Sequence, residues 1–193
     1  EAASFMLERG DADPSEIAAI LADIRSDDQR AGAIIEHMRS LLRRKRPELG
    51  SVPLAELVAK VVALVRHDAA VHHVALQTQI PHGIAAVRAD PVQLQQVLLN
   101  LVFNGLDALE QVPPKSRNLV ISARMLADAH VELVVRDTGR GLPKETLARV
   151  FEPFHTTKAN GMGMGLAICR SIADAHRGSL AATNAPEGGV VIH

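Results

Sequence analysis

The segment QLQQVLLNLVFNGLDALEQ, residues 93–111, constrains the fold more than any other part of the chain. Its apolar residues cover most of a helix circumference, yet Gln93, Gln96, Asn100, Asn104, Asp107 and Gln111 recur at steps of three, four, four, three and four. Residues so spaced stack on one face, which predicts a mostly buried helix with one narrow polar stripe. Asp90-Pro91-Val92-Gln93 marks its start, with a capping carboxylate, a proline at the first helical position and a glutamine placed for the reciprocal cap. Pro113 and Pro114 break it. A stripe that merely faces solvent is usually wider and richer in Lys and Glu, whereas short amides on a buried helix need hydrogen-bond or metal partners. Both readings, solvent face and pocket, stand on this helix alone. In a pocket, amide and carboxylate oxygens are hard ligands of the kind Mg²⁺ accepts beside phosphates and water.

The chain ahead of this helix divides in two. Residues 1–10, EAASFMLERG, read as the end of a helix stopped by Gly10, and Asp13-Pro14-Ser15-Glu16 opens another. Ile17, Leu21, Ile24, Ala31, Ile35, Met38 and Leu42 then follow a heptad seam, interrupted at Asp28. A helix lying on its own domain would carry such a stripe too, but a seam of that length more naturally suits a helical bundle between two chains, so a homodimer through residues 15–46 is expected. Arg43, Arg44, Lys45 and Arg46 close the helix where positive charge complements its carbonyl end, and Pro47 and Gly50 end it. The domain boundary is placed at 47–52, giving units of 1–47 and 48–193.

Within the second unit a helix is expected over 54–67, strands over 74–80 and 85–88, strands over 119–125 and 131–136, a helix over 163–176, and strands near 179–183 and 190–193. Residues 138–162 show no period and hold Gly139, Gly141, Gly161, Pro143 and Pro153, which reads as a long functional loop. The order implies an α/β fold, a mixed sheet covered by helices. Apolar residues are 47% of the chain but aromatics only 2%, so the core must be built from Leu, Val, Ile and Ala. With 21 basic and 22 acidic side chains, no global field favours nucleic acid or an anionic membrane, and the basic run at 43–46 reads as a solvated helix end rather than a DNA site. The single Cys169 cannot form an internal disulfide and reads as a small buried residue. The lone cysteine fits a reducing cytoplasm, where this region is expected; no run approaches the roughly 20 apolar residues of a membrane span and no signal-peptide order opens the chain, which leaves open a membrane segment in a longer parent protein.

Two further segments carry chemistry. In VELVVRDTGRGLP a buried strand runs into Asp137 and two glycines one residue apart, Gly139 and Gly141. A carboxylate there can accept a hydrogen bond from an amino group such as that of adenine, while the glycines admit ligand atoms close to the backbone. Asp-Thr-Gly is also an aspartic-protease triplet, but that chemistry needs two cooperating aspartates, and this chain has one such triplet among strong helical patterns. In FEPFHTTKANGMGMGLAICRSIADAH, Lys158 precedes Gly161, Gly163 and Gly165 at a helix start, where backbone N–H groups suit phosphate. Taken alone, that stretch reads equally as a helix-entry turn.

In this order the three segments resemble the GHKL ATP-binding domain, specifically that of sensor histidine kinases. NLVFNGLDAL is similar to the family's asparagine box, DTGRG to its first glycine box, FEPF to its phenylalanine box and GMGMGL to its second glycine box. The heptad helix resembles the second helix of the kinase dimerisation hairpin, making residues 1–47 a partial hairpin. The resemblance implies a two-layer α/β sandwich that binds ATP with Mg²⁺. It implies that Asn104 holds Mg²⁺, that Asn100 lies beside the phosphates, and that Asp137 binds the adenine amino group. It further implies that Gly139 and Gly141 border the base, that Gly161, Gly163 and Gly165 contact phosphate, that Lys158 sits in the ATP lid, and that Asp107, Thr157 and Leu166 complete the nucleotide site. The implied partner is the receiver domain of a response regulator.

Relatives that hydrolyse ATP carry a glutamate four residues before the metal-binding asparagine, where this chain has Asn100. An amide is no general base near neutral pH, so phosphate transfer to a histidine is expected over hydrolysis. None of the nine histidines fits the family's acceptor motif, which lies on the first hairpin helix. His37 lies on the second helix, His72 and His73 read as turn residues, and His176 resembles a family position outside that motif. The acceptor is therefore expected upstream, and residues 1–193 are expected to bind ATP without labelling themselves. The rival readings are a GHKL hydrolase and a non-catalytic nucleotide-binding dimer module. Gly105 and Arg177 depart from the family pattern, replacing an alanine and a glycine.

Overall fold

A computed structural model of the chain describes Ile20 and residues 48–127, 130–158 and 162–193. The helix expected over 15–46 lies outside the described residues except for Ile20, which is helical. The chain divides into two units, Glu1–Lys45 and Arg46–His193.

The elements of the second unit run β1 (Gly50–Val52), α1 (Leu54–Val71), β2 (Ala75–Gln79), β3 (Val87–Ala89), α2 (Pro91–Leu109), β4 (Asn118–Met125), β5 (Val131–Asp137), α3 (Lys144–Arg149), α4 (Gly165–Ala175), β6 (Ala182–Asn184) and β7 (Val190–Ile192). Five strands form a mixed sheet in the order β2-β4-β5-β7-β6. β2 runs parallel to β4, and the remaining pairs are antiparallel. Along β4 the residues alternate, with Leu119, Ile121 and Ala123 buried and their neighbours less so, as a sheet with one covered face requires. The covering layer is made by α1, which buries Leu54, Leu57, Val58, Val61, Val65 and Ala69, and by α2, which buries Val97, Leu98, Leu101, Val102, Leu106 and Leu109. The core is thus aliphatic, as the composition demands. Cys169 of α4 lies inside it, fully buried, and burial raises its thiol pKa to about 12, so it packs as an inert apolar group.

Gly105 has a packing reason. A Cβ built there falls 2.4 Å from Cδ1 of Leu119, so the helix gives up a methyl group where a fully buried leucine of the sheet fills the space. Farther along, Arg117 fastens the connection behind α2. Its Nε donates to the Val112 carbonyl at 2.7 Å, one terminal nitrogen to His72 at 2.6 Å and the other to Glu110 at 2.8 Å. One planar guanidinium thereby satisfies carbonyls at the ends of both α1 and α2.

Three expectations need correction. Residues 50–52, assigned to a boundary, form β1, which pairs antiparallel with β3 in a separate two-stranded sheet. Three residues containing a glycine carry no readable alternation. The stretch 138–162 is not all loop, because α3 occupies Lys144–Arg149, and a six-residue helix that buries no side chain has no apolar period to betray it. The helix begun at Leu54 continues to Val71, four residues beyond the expected end, because Ala69 extends its buried face.

Candidate functional site

Asp90 builds the start of the asparagine helix. Its Oδ1 accepts from the Val92 and Gln93 N–H groups at 3.0 and 3.2 Å, capping donors that have no partner within α2. Its Oδ2 accepts from the Glu48 N–H at 3.2 Å, and its own N–H donates to Nε2 of His176 at 2.9 Å. The His176 ring, in the tautomer this bond requires, donates through Nδ1 to the Ile172 carbonyl at 2.8 Å. His176 thus caps α4 while holding the first turn of α2.

The polar stripe of α2 faces the start of α4 and the segment ahead of it. Asn100 donates through Nδ2 to the Gly165 carbonyl at 3.5 Å. Asn104 Oδ1 and Asp107 Oδ2 both accept from the Lys158 ammonium, at 3.0 and 2.5 Å. Lys158 is itself positioned by its backbone N–H, which donates to Thr156 Oγ1 at 3.1 Å. Gly163 seats this segment. It has φ of +64°, and a Cβ there would fall 2.6 to 2.7 Å from backbone atoms of Phe154 and His155, so only glycine fits.

The second cluster forms where β5 ends. Asp137 is 7% exposed, and its Oδ1 accepts from Gly139 N–H at 2.7 Å and Val190 N–H at 3.3 Å. Burial raises its carboxyl pKa above the ordinary value, opposed by those two backbone donors. Both bonds fall on Oδ1, so neither donor uses Oδ2. The turn between β6 and β7 closes tightly on this group, since a Cβ on Gly189, at φ +90°, would lie 2.0 Å from the Asp137 carbonyl oxygen. Gly141, at φ +75°, is held next to Asn184, whose carboxamide bonds both backbone groups of Leu142. Thr138 ties the same loop to β4, its hydroxyl accepting from the Asn118 N–H at 2.9 Å and donating to the Ser116 carbonyl at 2.7 Å.

Of the residues singled out from sequence, Asn100, Asn104, Asp107, Lys158 and Gly165 come together by direct bonds. Asp137 and Gly139 form their own bonded cluster, with Gly141 two residues on. Thr157 is exposed, and it is Thr156 that braces Lys158. Leu166 packs against the core. Gly161 lies outside the described residues. Sequence reasoning passed over Asn184, Thr138, Gly188 and Gly189. The Gly188-Gly189 pair was a visible turn signal, but nothing local linked it to Asp137 across more than fifty residues.

A strand-end carboxylate buried among glycine turns, and a helix whose polar stripe meets a lysine ahead of a glycine-initiated helix, are the parts that a nucleotide-binding domain combines. Residues 89–193 match the family described as histidine kinase-, DNA gyrase B-, and HSP90-like ATPase, and the chain belongs to that family. Within it the similarity is to sensor histidine kinases. The sensor histidine kinase TmoS of Ectopseudomonas mendocina is 37% identical over 170 residues, which are 88% of this chain and 18% of that protein. The chain therefore spans less than a fifth of this relative's length. The nucleotide-free catalytic domain of histidine kinase ThkA is 31% identical with a TM-score of 0.67, covering 75% of this chain and 92% of that one. Histidine kinase ThkA in complex with response regulator protein TrrA shares the fold at a TM-score of 0.73 and 24% identity, covering 98% of this chain and 54% of that chain. The mixed sheet with its helical layer is accordingly the fold of a histidine kinase catalytic domain, and the chain is an ATP-binding domain of that kind. No described helix is long and apolar enough to cross a membrane.

Proposed function

We propose that this chain binds ATP with Mg²⁺ between α2 and the segment carrying Lys158, and supplies the γ-phosphate to a histidine of the parent kinase for relay to a response regulator aspartate. The observation that carries the proposal is the cation already held on the stripe. Asn104 Oδ1 and Asp107 Oδ2 grip an ammonium group between them, so this pair of hard oxygens fits a divalent ion that also takes phosphate oxygens. When bound, Mg²⁺ neutralises charge on the phosphates during transfer.

The residues of the chain do the rest. Asp137 offers Oδ2 to the adenine amino group while Gly139 and Val190 hold Oδ1 in place. Gly139 and Gly189 let the backbone close around Asp137 where any side chain would strike its carboxylate or carbonyl, and so fix the group that meets the base. Lys158 and the N–H groups at the start of α4, near Gly163 and Gly165, meet phosphate oxygens. Asn100 cannot remove a proton from water near neutral pH, and its amide is engaged by the Gly165 carbonyl, so ATP persists until a histidine is presented. The heptad seam over residues 17–42 supports a homodimer, the ThkA–TrrA complex supports a receiver domain as the phosphate acceptor, and the region is assigned to the cytoplasm.

Two measurements test this. ATP with Mg²⁺ at about 100 times its dissociation constant should stabilise the folded state by roughly 2.7 kcal/mol, and Asn104→Ala should remove that gain. A separately made first hairpin helix bearing the acceptor histidine should become labelled by the chain. Steady phosphate release without any acceptor would instead mark a hydrolase.

A further inference from the structure

The cation reading of α2 leads to a second role for Lys158, and the inference rests on that reading. The ammonium group lies on the Asp107 carboxylate and the Asn104 carbonyl oxygen together, so it occupies the oxygens that a divalent ion needs. Asp107 is what draws it there: the asparagine offers only a dipole, whereas the carboxylate offers a full charge at 2.5 Å. The lysine is fastened close by, through Thr156 Oγ1 to its own N–H and through the backbone of Phe154 and His155 packed on Gly163. Its side chain nevertheless has the reach and exposure to leave, since the Lys158 and Asp107 side chains are 43% and 46% accessible.

The geometry points to Lys158 as the resting occupant of the cation position, a built-in competitor that neutralises Asp107 and covers Asn104 Oδ1 until a divalent ion displaces it from both. Displacement leaves the ammonium without its anion, beside the phosphates that arrive with the metal. Occupation of the site by metal and transfer of Lys158 from carboxylate to phosphate are then one coupled exchange, and each must favour the other. The exchange also makes nucleotide-free protein a poor metal binder, because the first ion must break an ion pair before it gains its ligands. A half-exposed pair of this kind is screened, so the competition should amount to about fivefold in affinity, equivalent to ~1 kcal/mol.

The test is a Mn²⁺ titration of the chain followed by electron paramagnetic resonance, without nucleotide. Lys158→Met should tighten Mn²⁺ binding about fivefold over the parent. In an Asp107→Asn background the same substitution should give a much smaller gain, because the anion that holds the lysine is gone. Unchanged or weaker Mn²⁺ binding by Lys158→Met, including no detectable binding by either protein, overturns the competitor role. Repeating the titration with ATP present separates the two levels of the reading. Loss of that ternary binding in Asn104→Ala, with no effect of Lys158→Met on nucleotide-free protein, removes only the lysine's role. Ternary binding indifferent to Asn104→Ala removes the cation site itself, and this inference with it.

Discussion

The Asn184 carboxamide engages both backbone groups of Leu142, with Oδ1 accepting from its N–H at 2.9 Å and Nδ2 donating to its carbonyl at 2.7 Å. The side chain behaves as a strand neighbour for the loop, and so holds Gly141 and Leu142 against the end of β6. Asn184→Ala removes two bonds worth ~1 kcal/mol each, so stability should fall by about 1–2 kcal/mol in urea denaturation. ADP affinity should weaken severalfold by calorimetry. Asn184→Asp should be worse than alanine, because it points a charged acceptor at the Leu142 carbonyl; an aspartate variant as stable as the alanine one would refute the bidentate account.

Two glycines of one sequence motif should respond in opposite ways. Gly163 has φ of +64° and no space for a Cβ beside the Phe154 and His155 backbone, so Gly163→Ala should destabilise by about 1–3 kcal/mol. Gly165 lies within α4, and the nearest atom to a Cβ there is Asn104 Nδ2 at 3.9 Å. Gly165→Ala should therefore leave the nucleotide-free protein unchanged or stabilise it by up to ~1 kcal/mol. Thermal denaturation of both variants decides the matter, and equal losses would show that the distinction is false.

Asp137 makes stability depend on pH in an unusual direction for a carboxylate. Burial is the main cause of its raised pKa, so the folded state holds this proton more tightly than the unfolded chain does. Its contribution is therefore fully present below the unfolded value and is lost as pH rises through the folded one. Asp137→Asn, which stays neutral, should gain on the parent over that window above the ordinary carboxylate range. Parallel stability curves for the two proteins across it would mean that burial does not govern this group. The same variant should also discriminate less well between ATP and GTP.

The parts of this molecule that can be read in one dimension are those with a period or a local chemical signature. The stripe from Gln93 to Asp107 announces a buried helix with a purpose, and Asp90 with Pro91 announces where it begins. Asp137 is visible because an apolar strand ends on it. What escapes is either too short to show a period, as with β1 and α3, or joins residues far apart in the chain. Asn184 reaches Leu142 across 42 positions, and nothing around it distinguishes it from any turn asparagine. Gly163 and Gly165 look alike in sequence, and only the backbone folded over one of them separates their tasks.

The bonds from Asp90 to His176 and from Asn100 to Gly165 join α2 and α4 as two rungs join a pair of rails. One rung ties the N-terminus of α2 to the C-terminus of α4, and the other meets α4 at its first residue, so the eleven residues of that helix, roughly 16 Å, are braced at both extremities. Bonds at both ends favour α2 and α4 moving as one piece. Lys158, whose ammonium rests on the stripe of α2, can then change partners while the rails keep their spacing.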